Sequence, residues 1–243
     1  MKKLLNLALQ NKHVDQRITC INGADSSDIY LKGVISDDYG ISATDLRNAF
    51  SQAGGADVRL HINSPGGDVF EGREMQAVIA GYPGKVTAII EGMAASAATF
   101  VTLSCAEVQM VKGSRYMIHN GATFAFGDKN ALRATFELLE GFDAELASEY
   151  AGKAKGTNEQ MTAWMDAETW FTADEALEAG FIDKINPNSQ AVANVWDLSA
   201  YSKAPDLSYS SGAKGEDLPP PVTDEHRDRQ KQRLIFINRL NHQ

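Results

Sequence analysis

Strand-like and helix-like stretches alternate along this 243-residue chain from about residue 28 to residue 185, and that alternation commits it to an α/β fold. Asp28-Ile-Tyr-Leu-Lys-Gly-Val-Ile is a short β-rich run. Ala56-Asp-Val-Arg-Leu-His-Ile-Asn63 alternates apolar and polar residues with the period of a strand. Residues 85–90, 106–111 and 114–118 read as further strands. Helices are expected over 42–53, with Leu46, Ala49 and Phe50 on one side, from the Pro65-Gly-Gly67 turn through Met75 to Ala80, and from Ser96 to about Ser104. A long helix over 130–154 carries Leu132, Phe136, Leu139, Phe142 and Leu146 at spacings of three and four, and another covers 158 to about 165. Thr172 with Glu175 three residues on predicts a capping box, and Gly180 the stop of that last helix.

A chain of this length can bury one sizeable core, or one domain with an extension. A net charge of −9 argues against a nucleic-acid partner, which asks for a basic face. Cys20 and Cys105 lie far apart with no metal-like spacing and read as two reduced thiols. The start, Met1-Lys-Lys-Leu-Leu-Asn-Leu-Ala-Leu, imitates a signal peptide until Gln10-Asn-Lys-His-Val-Asp15 breaks it, and no run reaches the roughly 18 apolar residues of a membrane span. The expectation is a cytoplasmic protein without a membrane partner. Three regions result: an N-terminal segment 1–27, a domain 28–186, and a linker and tail 187–243. In the tail, Ser208-Tyr-Ser-Ser-Gly-Ala-Lys-Gly reads as linker and Pro219-Pro-Pro221 as an extended spacer. Residues 224–240 mix basic side chains with Leu234-Ile-Phe-Ile237, which suits a docking tail, a poorly ordered end or a helix packed on its own oligomer.

Three stretches carry chemistry. Gly66-Gly67 follows a strand and precedes a helix, so the backbone can bring N–H groups close to a bound atom, although such a pair alone is more often only a turn. No phosphate-loop or dinucleotide-binding pattern surrounds it. Ser96, in Gly92-Met-Ala-Ala-Ser-Ala-Ala98, has small neighbours that permit a sharp strand-to-helix turn with the hydroxyl exposed. The same small residues would also suit close helix packing. A serine hydroxyl needs a base. His13, His226 and His242 lie in terminal segments, leaving His61, inside a strand, and His119, at the end of an apolar strand; His119 is the better base.

Taken in order, Asn63-Ser-Pro-Gly-Gly67, Gly92-Met-Ala-Ala-Ser-Ala-Ala98 and Tyr116-Met-Ile-His119 resemble the signature blocks of the Clp-type serine peptidases, the ClpP family. Glu168-Thr-Trp-Phe-Thr-Ala-Asp-Glu-Ala through Gly180-Phe-Ile-Asp183 resembles that family's closing block, so the likeness covers about residues 28–185. The long acid-rich helix and the extra tail look more like the phage and prophage branch, which includes prohead (head maturation) proteases. The resemblance implies the ClpP/crotonase-like spiral of ββα units with a helical arm projecting from about 124 to 165. It also implies a homo-oligomeric ring, single or stacked, enclosing its active sites, and no metal or organic cofactor. Carried over, the nucleophile falls on Ser96, the base on His119, and the oxyanion-hole backbone on Gly67 and Ala97. The family's third member is an aspartate, and Glu168 stands at that position here, with Asp166 near enough to compete.

The reaction implied is peptide hydrolysis through an acyl-enzyme. The partner is either an ATP-dependent unfoldase or the capsid and scaffold proteins of a phage. Three rivals share the features: a crotonase-type enzyme acting on CoA thioesters, a Ser–Lys signal-peptide peptidase, and a catalytically silent assembly protein.

Overall fold

The computed structural model describes residues 2–187 and 191–207. The readings placed on 208–243 (linker, polyproline spacer and basic tail) lie outside the described residues. Along the chain run α1 (Lys2–Gln10), β1 (Arg17–Asn22), β2 (Ser26–Lys32), α2 (Ala43–Ala53), β3 (Asp57–Ser64), α3 (Val69–Ala80), β4 (Val86–Ala95) and α4 (Ala98–Leu103). Then follow β5 (Glu107–Val111), β6 (Arg115–Ile118), α5 (Lys129–Lys153), α6 (Asn158–Asp166), β7 (Thr169–Phe171), α7 (Ala173–Ala179) and β8 (Lys184–Asn186). Among the described residues no helix is long and apolar enough to cross a membrane.

The strands form one eight-stranded, mostly parallel sheet in the order β1-β2-β3-β4-β5-β8, with β6 pairing β4 and β7. β1 and β2 pair antiparallel, so the sheet begins within the segment 1–27, and β6 and β7 form the other antiparallel pair. The alternation read from the sequence is the alternation of burial: Ile29 and Leu31, Val58, Leu60 and Ile62, and Val86, Ala88 and Ile90 face one core. Leu46 and Phe50 of α2, Met75 and Ile79 of α3, and Phe100 and Val101 of α4 cover that face. Each such side chain stabilises the fold by about 1.5–3 kcal/mol relative to exposure. Local signals agree with the packing. Ser42 and Asp45 form a capping box at the start of α2, and Thr172 and Glu175 form the expected one at α7, which Gly180 ends at φ 86°.

The stripe on α5 divides along its length. Leu146 and Tyr150 are buried and Phe142 packs against the core, but Leu132 is 47% and Phe136 60% exposed. Among the described residues the first half of the helix therefore presents an exposed apolar face, together with Phe124 and Phe126 just before it.

On the opposite face of the sheet, His61 lies between two carboxylates, with Nδ1 2.8 Å from Glu91 Oε1 and Nε2 3.0 Å from Asp28 Oδ1. Tyr30 stacks on its ring, and Arg59 grips Asp28 through both oxygens. His61 is thus a half-buried member of an ion cluster on the sheet. Burial pulls its pKa down, but the Glu91 and Asp28 carboxylates outweigh burial and hold it above the ordinary histidine value. A raised folded-state pKa gives stability that is whole below the unfolded value and disappears as pH climbs through the folded one. The melting temperature should therefore fall as pH rises through and above the ordinary histidine range, and His61→Gln should flatten that slope in a thermal melt series. Equal slopes in the two proteins would remove His61 as the cause.

Candidate active site

A break in register builds the site. β3 and β4 pair as Ile62↔Ile90 and then as Ser64↔Ala94, so β4 carries extra residues between them. Gly92 lies in that bulge, where a Cβ would come within 2.4–2.8 Å of the Asn63 side chain. β4 then changes partner, from β5 at residues 87–90 to β6 at residues 93–95. The end of β4 is thereby brought beside both the glycine turn after β3 and the end of β6.

Ser96 follows directly, in the left-handed region at φ 54°, a conformation costly for a residue with a Cβ. Its N–H donates to the Met117 carbonyl (2.9 Å), and its own carbonyl accepts from the Thr99 N–H (2.9 Å) and hydroxyl (2.6 Å). Thr99 in turn shares a hydrogen bond with the buried Tyr150 hydroxyl. The turn is thus held on both sides and leaves Oγ out of the helix. His119 comes off β6 one residue past its last paired position, and its Nε2 lies 2.8 Å from Ser96 Oγ. For the hydroxyl to donate here, Nε2 must be the unprotonated nitrogen.

The glycines press against this pair. Gly66 has φ 87°, and a Cβ there would sit 2.4 Å from the Ala95 carbonyl oxygen and 2.8 Å from Ser96 Cβ. Gly67 has φ 151° and lines the same small cavity as Ser96 and His119. Its strand-like neighbour is Ile35, which donates to the Gly66 carbonyl (2.8 Å) and accepts from the Asp68 N–H (2.7 Å). Among the described residues, neither the Gly67 nor the Ala97 N–H donates to a protein acceptor. Ala97 itself is fully buried.

Glu168 is the other non-glycine residue with positive φ among the described residues, at 49°. The antiparallel pairing of β6 with β7 ends at Ile118 with Thr169, and His119 and Glu168 are the residues that flank that last pair. Its carboxylate accepts from the Ser202 N–H (3.1 Å), the Ser202 hydroxyl (2.8 Å) and the Lys203 N–H (2.6 Å). Burial pushes its pKa up, but these donors outweigh burial and hold it below the ordinary value, so it is ionised at neutral pH. Asp166 points elsewhere, accepting from Asn120 Nδ2 at 2.7 Å.

Sequence reasoning missed Tyr201, Ser202 and Lys203, which fall in the stretch that reads as linker and tail. The spacing of Val195, Trp196, Leu198 and Tyr201 was the available signal. Trp196, Leu198 and Tyr201 are buried here against Leu7, Met93 and Met117, in a second apolar cluster.

The Clp protease family model matches residues 11–189. The proteolytic subunit 1 of the ATP-dependent Clp protease from Leifsonia xyli is 31% identical over 147 residues, 56% of this chain and 71% of that one. The corresponding subunit from Bacteroides thetaiotaomicron is 32% identical over 133 residues, 54% of this chain and 60% of its own length. That from Streptococcus gordonii is 30% identical over 166 residues, covering 66% of this chain and 85% of its own. With a family match over residues 11–189, most of its length, the chain belongs to the Clp protease family of serine peptidases.

Proposed function

We propose that this chain is a Clp-type endopeptidase that cuts polypeptides through an acyl-enzyme on Ser96. The observation that carries this reading is the 2.8 Å contact between Ser96 Oγ and His119 Nε2, made beside a glycine turn with N–H groups to spare. His119 takes the hydroxyl proton as Oγ attacks the scissile carbonyl, then returns it to the leaving amine; water reverses the sequence to free the acid. The Gly67 and Ala97 N–H groups take the negative charge that develops on the carbonyl oxygen, each worth about 3 kcal/mol in the transition state. Glu168 holds the imidazole. Its ionised state, its place with His119 beside the last β6–β7 pair and the strained backbone it shares with Ser96 support that role over Asp166. The cavity at Ser96 is walled by Val69, Phe100, Phe142 and Leu146, which favours an apolar side chain just before the cut.

The exposed face made by Phe124, Phe126, Leu132 and Phe136 supports assembly with further copies into rings, since a monomer rarely leaves so many large apolar side chains in water. The long α5 and the residues beyond the family match favour the finer reading, a phage-type protease that processes capsid or scaffold proteins. The relatives named as subunits of an ATP-dependent protease favour an unfoldase partner.

A fluorophosphonate probe tests the core of the proposal. It should add its mass to Ser96 in the wild-type protein and to nothing in Ser96→Ala, with peptide hydrolysis lost in step. Labelling at another serine, or hydrolysis that survives labelling of Ser96, would count against it.

A further inference from the structure

Residues 191–207 lie across the catalytic pair, past the end of the family match at 189. Tyr201 is the centre of this contact. It is 9% exposed, its hydroxyl donates to the Pro65 carbonyl and lies against the Ser96 side chain, and its ring stands edge-on to His119 at 5.6 Å. The next two residues occupy the Glu168 carboxylate with three hydrogen bonds. Upstream, the Val192 N–H donates to the Glu91 carbonyl (2.9 Å) and Trp196 Nε1 to Asn63 Oδ1 (2.8 Å). Asp197 exchanges two hydrogen bonds with the Asn11 side chain. One segment therefore holds the loop before Gly66, the bulge before Ser96 and the Glu168 carboxylate.

What it leaves at Ser96 is a cavity of about 70 Å³. That is room for a few waters, and far below the about 300–1,000 Å³ of pockets that bury a ligand. A polypeptide must lay its backbone across Ser96 Oγ, where Ala200 and Tyr201 now form the wall. An ionised carboxylate has about four lone-pair sites, so the three bonds from the segment tie Glu168 to it and take up most of that capacity. The segment is bound by side-chain packing and hydrogen bonds and contributes no strand to the sheet, so it can come away without breaking a strand pairing.

We propose that residues 191–207 are a strap that keeps the Ser96–His119 pair latent, and that a polypeptide reaches Ser96 only when the strap swings away. The proposal rests on the peptidase reading above. The test is the rate of fluorophosphonate labelling of Ser96, and of peptide hydrolysis, in the full chain and two variants. Tyr201→Phe keeps the ring in place and removes its hydroxyl contacts, so it should label about fivefold faster than wild type. Tyr201→Ala removes the wall and should gain more, on the order of a hundredfold. If Tyr201→Ala fails to fold, Tyr201→Phe decides alone. Rates equal to or below wild type in Tyr201→Phe would overturn the strap and leave the peptidase reading standing, because the segment would then support the site. No labelling in any of the three forms would overturn the peptidase reading and the strap with it.

Discussion

Ser96→Ala and His119→Ala should each lower peptide hydrolysis by about 10⁴–10⁶-fold, and the double variant should be no slower than the worse single one. The reason is the 2.8 Å contact between Oγ and Nε2. A hydroxyl without its base is a weak nucleophile, and a base without its hydroxyl has no proton to take, so either loss removes the whole step. The residue of activity, about 10³–10⁴-fold over water, belongs to the N–H groups of Gly67 and Ala97 and to substrate binding, which neither substitution touches. The fold should survive. Ser96 is fixed by its backbone, through Met117 and Thr99, and alanine accepts those bonds unchanged. Alanine at φ 54° carries about the strain that serine already carries there, so thermal melts should differ by only a few degrees. Losses that multiply in the double variant would mean that the two side chains act independently, and would sink the dyad. A Ser96→Ala protein of near wild-type rate would move the nucleophile elsewhere.

How far this site can be read in the sequence follows from which contacts are local. Ser96 and His119 are legible because each announces itself nearby: small residues at a strand-to-helix turn, and a histidine ending an apolar strand. Gly66-Gly67 is legible as a turn, but its place against Ser96 follows from the bulge at Gly92, which sequence periodicity does not mark. The capping box of α7 needs only four residues to specify, and it forms as expected. The stripe on α5 is visible, but the same spacing fits a core or an outer contact. The structure divides it near Phe142, the inner part packed and the outer part exposed. Residues 191–207 read as linker because Asn186-Pro-Asn-Ser interrupts the pattern before them. Their partners are Asn63 and Pro65, more than a hundred positions earlier, and only the folded sheet brings these together. Glu168 stands in a recognisable block, but its hydrogen bonds to Ser202 and Lys203 belong to that same long-range closure.

Gly67→Ala should cost both stability and rate, by about 2–4 kcal/mol in a denaturant melt and about 10²–10³-fold in kcat. A Cβ at Gly67 would lie 2.0 Å from the Ile35 carbonyl oxygen, 2.8 Å from its carbon and 2.9 Å from the Ile35 nitrogen. All three are backbone atoms, so no side chain can turn aside to relieve the contact. The φ of 151° adds strain for any residue with a Cβ. Either the Ile35 backbone retreats, breaking its bonds to Gly66 and Asp68, or the turn does, carrying the Gly67 N–H away from the carbonyl oxygen it is proposed to receive. Gly54 separates the two contributions. It ends α2 at φ 64°, and a methyl added there would meet nothing within 4 Å, so Gly54→Ala carries backbone strain alone. That variant should lose about 1 kcal/mol with kcat unchanged. The excess destabilisation in Gly67→Ala is then the clash, and the loss of kcat in its folded fraction is the displaced donor. A Gly67→Ala protein that melts with Gly54→Ala would show that the turn yields freely. If it also kept its kcat within a few-fold, the N–H at 67 would have no part in holding the developing charge.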